Sequence, residues 1–320
     1  MKAFALAVLW PAMILSAAES SPWKIDTQPA LAPGMVGEWD DWAIASPTIL
    51  KAAGKWWMFY EGVRFDHDGL QRGGGIAVSE NGVTWTKHTQ NPLFSPALKE
   101  VETWSSPSVA HWKDKFWLVY LASDDPFRRE KQSERFDPVP GWFRVASSED
   151  GLTWDPVRGA KPPRGSADYF PIRPSLYAEE TALHLWWIGL VGEQDRALFH
   201  SVSRDGETWS MPNQQPAKEL DSREICCARV YPSGDYYILT YVAFDEKKQQ
   251  HFVVTKISRN ARSWAAQGPP EFLLESHWMH SPPTLLFQPD GARLFYSAKE
   301  PDETVALRSA WCSKTDYVSH

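Results

Sequence analysis

Four copies of one seven-residue pattern constrain this chain more than anything else in it. They read Ser79-Glu-Asn-Gly-Val-Thr-Trp85, Ser148-Glu-Asp-Gly-Leu-Thr-Trp154, Ser203-Arg-Asp-Gly-Glu-Thr-Trp209 and Ser258-Arg-Asn-Ala-Arg-Ser-Trp264. Their tryptophans stand 69, 55 and 55 residues apart. Asn-Gly or Asp-Gly between apolar runs is a strong hairpin signal, because a type I′ turn needs positive φ at both central residues. Each copy is therefore expected to be such a turn between two strands. Its Ser and Asp or Asn side chains would bond turn amides, and its Trp would pack where the hairpin meets a neighbour.

A second repeat precedes each turn. Its copies start at Ser46-Pro-Thr-Ile-Leu, Ser106-Pro-Ser-Val-Ala, Arg173-Pro-Ser-Leu-Tyr, Ala228-Arg-Val-Tyr and Pro282-Pro-Thr-Leu-Leu, each followed by a second apolar or aromatic strand such as Lys55-Trp-Trp-Met-Phe-Tyr60. Third strands follow, as at Gly75-Ile-Ala-Val-Ser79, and the turn leads to a fourth. Four short strands in about 55 to 65 residues, repeated five times, predict an all-β chain, a five-bladed β-propeller with four antiparallel strands per blade. The fifth unit lacks the turn motif, with Trp311 standing in for it, and the segment Trp23 to Ile25 is expected to close the circle so that no sheet edge is left open. Most of the 18 tryptophans are thereby assigned to scaffold.

Residues 1–18 read as a secretory signal: Lys2, an apolar stretch from Ala3 to Ala18, and small residues Ser16-Ala17-Ala18 at the cleavage place. Residues 19–320 are then a single propeller domain, secreted or periplasmic, with no membrane segment in the mature form and expected to be a monomer. Net charge is −7 and no run of five basic residues occurs, which argues against nucleic acid. Cys226, Cys227 and Cys312 make no disulfide framework. A bridge from Cys226 or Cys227 to Cys312 is open, and small buried strand residues are the favoured reading.

The repeated hairpins, with their Ser-Pro-x-Val and aromatic Tyr strands, resemble the five-bladed propeller glycosidases, glycoside hydrolase families 43, 32, 62, 117 and 130 and their relatives. The resemblance runs from Trp39 to about Trp311. It implies a hydrolase of glycosidic bonds with its site at the mouth where the first strands begin. The acids and aromatics ahead of those strands are Trp39-Asp40-Asp41-Trp42, Glu102-Thr-Trp104, Asp168-Tyr169, Asp221-Ser-Arg223-Glu224 and His277-Trp278-Met-His280.

Glycoside hydrolysis needs one carboxylic acid to protonate the leaving oxygen and a second carboxylate to activate water or attack the anomeric carbon. A third can hold up the acid's pKa. In the family 43 type these roles come from blades one, three and four, which here offer Asp41 as base, Asp168 as modulator and Glu224 as acid, with Asp40 as rival base. The family's base usually stands directly before the Pro of the first strand, where this chain has Ser46; Arg173 holds that place in the third unit. Glu224 precedes Ile225-Cys226 rather than Gly-Pro.

Trp39, Trp42, Trp104, Tyr169 and Trp278 are candidate sugar platforms, and Glu102, Arg173, Arg223, His277 and His280 candidate substrate contacts. No metal ligand set and no cofactor are read from the sequence, although a divalent ion in the channel is open. Glu61, at the end of a second strand, reads as structural. Arg64, Arg173 and Arg229 read as cross-blade pairs ahead of a carboxylate grip. Two alternatives stand beside the hydrolase: a non-catalytic propeller that binds carbohydrate or a partner protein, and a sialidase-like hydrolase of acidic sugars using Arg173, Arg223 and Arg229.

Overall fold

The structure, a computed structural model, describes residues 21–66, 69–93, 103–123, 142–163, 169–191, 195–265, 269–274 and 281–318. It is nearly all strand. A first unit holds β2 (Ala43–Ala52), β3 (Lys55–Asp66), β4 (Gly69–Ser79) and β5 (Thr86–Lys87), after a short β1 (Lys24–Ile25). The next holds β6 (Thr103–Trp112), β7 (Lys115–Ser123), β8 (Trp142–Ser148) and β9 (Asp155–Pro156). Then come β10 (Tyr169–Ala178), β11 (Leu183–Val191), β12 (Asp195–Ser203) and β13 (Asn213–Pro216), and β14 (Glu224–Ser233), β15 (Tyr236–Asp245), β16 (Gln250–Ser258) and β17 (Phe272–Leu274). The last strands are β18 (Thr284–Gln288), β19 (Gly291–Lys299) and β20 (Val305–Ser313). The only helices among the described residues are α1 (Ala217–Leu220) and α2 (Lys314–Val318).

Each unit is an antiparallel sheet in chain order. The β18–β20 sheet takes its fourth strand from the other end of the chain: β1 pairs β20, Lys24 opposite Trp311 and Ile25 opposite Ala310. One parallel pair, Ala43 with Val305, joins this sheet to β2.

The repeated turn connects third strand to fourth in every copy, with the same Asx bonds in all four and the same serine–glycine bond in three. The serine hydroxyl takes the Gly82, Gly151 and Gly206 amides at 2.8–2.9 Å. The Asn81, Asp150, Asp205 and Asn260 side chains each take the next two amides of the loop. Positive φ falls on one residue per copy (71°, 77°, 82° and, at Ala261, 55°), not on two as a type I′ turn requires. The side-chain bonds of Ser and Asx replace the second left-handed residue, which corrects the sequence expectation.

The motif tryptophans then pack onto the preceding unit. Trp85 meets Phe295 edge-on at 6.0 Å, Trp154 meets Phe59 at 5.9 Å, and Trp264 meets Trp186 at 6.3 Å. In the β18–β20 sheet this part is played by Trp23, directly ahead of β1, which meets Phe272 at 5.6 Å. Trp311 instead lies within β20 under the Arg293 guanidinium, so the stand-in expected from the sequence is at the wrong end of the chain.

The core is a set of interfaces between units. Phe59 and Ile76 pack on Phe116 and Leu118, Val119 and Phe143 on Leu185 and Trp187, Trp186 and Ile188 on Leu239 and Tyr241, and Val242 and Val253 on Leu294. Ile44, Met58 and Tyr60 pack on Phe295 and Leu307, joining the last strands to the first unit. At about 25 cal/mol per Å² of apolar area, such interfaces supply most of the folding drive.

Hydroxyls on the first strands staple the units nearer the centre. Thr48 donates to Pro107 O (2.9 Å), the Ser108 hydroxyl accepts the Leu176 amide (2.8 Å), Ser175 donates to Val230 O (3.0 Å), and Thr284 donates to Pro47 O (2.5 Å). All four occupy the place after the repeated proline or its neighbour. The corresponding place on β14 is Arg229.

Candidate functional site

The first strands β2, β6 and β10 share a local distortion. Each has a register shift against its partner, and the residue before the repeated proline has positive φ: Ser46 (52°), Ser106 (53°) and Arg173 (50°). A non-glycine residue rarely adopts that conformation, and where it recurs the surroundings must hold it there. The bulge redirects the amides. The Ser46 amide donates to Ser281 Oγ at 2.7 Å, and the Ser106 amide donates to Glu61 Oε2 at 3.0 Å.

Glu61 is the acid at the centre of this arrangement. It lies on β3 opposite Ala45 and is only 2% exposed. Besides the Ser106 amide, it pairs with Arg72 and accepts the Ser46 hydroxyl at 3.4 Å. Arg173 feels the Glu61 charge as well; burial outweighs it and lowers the guanidinium below its ordinary range. Glu61 reads from the sequence as structural, and the structure places it with two of the strained pre-proline residues. The one available signal was a lone acid in the aromatic run Trp56 to Val63.

The other candidate residues are dispersed among local partners. Asp40 is buried; its Oδ2 takes the Lys87 ammonium at 2.7 Å and the Tyr60 hydroxyl at 3.2 Å. Burial and the Asp40 charge push the Tyr60 phenol far up. Asp41 is half-buried and its Oδ2 takes the Gly37 amide at 2.7 Å. Trp39 stacks on Tyr60 at 5.7 Å and lies over Gly62 and Gly75, where an added Cβ would sit 2.2 and 2.7 Å from the indole. Trp42 meets Phe65 edge-on at 4.3 Å beside Val63 and Val305.

Glu224 is exposed at the start of β14 and pairs with Arg196. Arg223 is bound on both sides, by Asp221 (2.8 Å) and Glu271 (2.6 Å). Burial works against the Asp221 charge, but bonds from Arg223 and Tyr241 outweigh it and hold the carboxyl below the usual range. Trp104 and Tyr169 lie in β6 and β10. Glu102, Asp168, His277, Trp278 and His280 lie outside the described residues. Among the described residues no contact joins Asp41 to Glu224, and the arginines of a sialidase-like site do not converge: Arg223 is committed to two acids and Arg229 is buried beside Thr48.

The three cysteines are free and buried. Burial pushes the Cys226 thiol up to about 12 and those of Cys227 and Cys312 to about 11. These are protonated packing residues, not nucleophiles. Among the described residues no group of three or more His, Cys, Asp and Glu is placed to hold a metal, and no helix is long and apolar enough to cross a membrane.

No family model matches the chain. Two uncharacterised proteins of Mycobacterium tuberculosis (strains H37Rv and CDC 1551) are 28% identical over 196 residues, a stretch that covers 58% of this chain and 60% of theirs. Among solved structures, it is similar to a glycoside hydrolase (TM-score 0.65, 15% identity, 90% of this chain and 92% of that one). It is similar as well to the catalytic domain of the Coprinopsis cinerea family 62 α-L-arabinofuranosidase (TM-score 0.60, 12% identity, 92% and 97%). The Podospora anserina α-L-arabinofuranosidase in complex with cellotriose gives a TM-score of 0.57 (13% identity, 90% and 96%). The fold is that of these glycoside hydrolases.

Proposed function

We propose that this chain is a five-bladed β-propeller glycoside hydrolase, secreted or periplasmic once residues 1–18 are removed, acting on a glycan at the mouth where the first strands begin. The observation that carries the reading is the strained pre-proline position shared by β2, β6 and β10, bonded to a buried carboxylate from two of the three, in a fold shared with glycoside hydrolases. Five blades are supported by the cyclic order of the interface clusters and by β1 completing the sheet of β18–β20. The signal is supported by Lys2 and the apolar stretch behind it.

In this reading Glu224 protonates the leaving oxygen, Asp41 activates water, and Asp168 tunes the acid, as the family resemblance implies. Glu61 joins them as a carboxylate set among hydrogen-bond donors, a setting suited to the basic partner of the pair. Retention or inversion follows from the carboxylate separation, about 5 Å or 6.5–9.5 Å respectively.

The non-catalytic carbohydrate-binding propeller is the second reading. Its support is that Asp40, Asp41 and Glu224 each have a local partner, and that no aspartate stands before the repeated prolines. The deciding experiment is a glycan panel, with arabinofuranosides included, run on wild type and on Glu224→Gln, Asp41→Asn, Asp168→Asn and Glu61→Gln. Hydrolysis that falls at least about 100-fold in one of these folded variants supports the catalytic roles. Binding without turnover on every glycan sinks the hydrolase in favour of the lectin-like reading.

A further inference from the structure

The buried charge that the proposed reaction leaves unused is Arg229. It is 4% exposed and replaces, on β14, the hydroxyl that the other first strands carry. Its Nη1 reaches across to Thr48 Oγ1 at 2.9 Å and Ser108 Oγ at 3.4 Å, on two other units. Its Nε and Nη2 have no acceptor among the described residues. These two N–H groups form one edge of the guanidinium, and that edge matches two oxygens of a carboxylate or phosphate at once. Both nitrogens are buried as they stand, and a rotation of the guanidinium about its Nη1 bonds would present the edge to the adjoining space.

That space is a cavity of about 330 Å³ walled by the first strands β2, β6, β10, β14 and β18. It begins at the layer of Thr48, Ser175, Arg229 and Thr284 and runs to the later ends of those strands, away from the mouth. Its charged lining has one sign: Arg229 within and Lys51 exposed toward the outer end, with the exposed imidazole of His111 and no Asp or Glu. Burial pulls the Arg229 guanidinium down to about 10, with no carboxylate opposing it. A buried cation without a counter-charge, and with acceptors on Nη1 alone, is disfavoured unless something supplies the rest.

We propose that Arg229 anchors a small oxyanion, of the phosphate, sulfate or carboxylate class, in the central channel on the side away from the mouth. The site is independent of the glycosidase reading. The oxyanion accepts from Nε and Nη2, neutralises the buried charge, and ties β14 to the units whose hydroxyls hold Nη1. Lys51 guides it in.

Thermal unfolding of the full chain tests this, with inorganic phosphate, sulfate or acetate titrated at constant ionic strength against sodium chloride. A ligand that binds only the folded state raises the midpoint with the logarithm of its concentration. The expected result is such a rise in wild type and none in Arg229→Met. Phosphate and sulfate acting together mark a tetrahedral anion, and acetate alone marks a carboxylate. Lys51→Glu, which leaves the core untouched, should weaken the affinity about threefold by reversing one exposed charge near the entrance, and it keeps the test open if Arg229→Met does not fold. No rise with any of the three anions, or equal rises in wild type and Arg229→Met, overturns the proposal.

Discussion

Glu61 and Arg229 are both buried charges beside the first strands, and their surroundings differ in kind. Glu61, toward the mouth, is met by a guanidinium, an amide and a hydroxyl. Arg229, further along the channel, keeps two N–H groups with no acceptor among the described residues. The strain follows the same division: Ser46 and Ser106, which bond Glu61 or its neighbours, have positive φ, whereas β14 carries its register shift at Ile225 to Cys227 without a left-handed residue. The fold itself satisfies the Glu61 charge, two of its donors coming from residues with positive φ. The charge in the channel is left for something outside the chain.

The largest expected effect breaks the satisfied side. Glu61→Leu leaves Arg72 and the Ser106 amide unpaired and should lower stability by about 3 kcal/mol or more, read from the urea midpoint. A loss within about 0.5 kcal/mol, the range of ordinary surface substitutions, would show that the carboxylate is not structurally committed. Thr284→Val tests the hydroxyl layer to which Arg229 itself belongs. It removes the donor to the buried Pro47 carbonyl and should cost about 1–2 kcal/mol. Equal stability would mean that the staple adds nothing to the apolar interface of Ile44 and Phe295.

The smallest effect sharpens the comparison at the strained side. Ser46→Gly accepts the positive φ without a Cβ and should raise stability by up to about 1 kcal/mol, while hydrolysis, if the mouth is catalytic, falls. A destabilised Ser46→Gly would mean that the hydroxyl's contact with Glu61 outweighs the backbone strain.

What could be read in the chain beforehand was whatever repeats locally. The Ser-x-Asx-Gly-x-Thr-Trp copies announce a third-to-fourth strand turn because the Ser and Asx bonds that shape it lie within three residues. They misled about the turn type, since two side chains do work that a two-residue β-turn assigns to the backbone. The site was far less legible. Glu61 meets Ser106 across 45 residues and Arg229 meets Thr48 across 181, and no spacing rule spans such distances. The substitution of Arg229 into a row of hydroxyls was visible in the aligned repeats, but only the shared layer in three dimensions gives it meaning. The closing strand at Trp23 to Ile25 was legible and pairs with β20 as expected, but the packing role of the Trp23 ring was not, because the unit it serves begins near residue 284, at the far end of the sequence.

That short β1 has a consequence for how the molecule is made. The Trp23 indole bonds Pro270 O, 247 residues onward, and Asp26 accepts from Ser309, 283 residues onward. Contacts this distant demand that nearly the whole chain exist before the first segment has a place to dock, and such topologies fold slowly. During synthesis the segment around β1 emerges long before its partners and is the last to settle. For that interval β20 has a bare edge, and the half-made protein is then most open to pairing with a strand that is not its own.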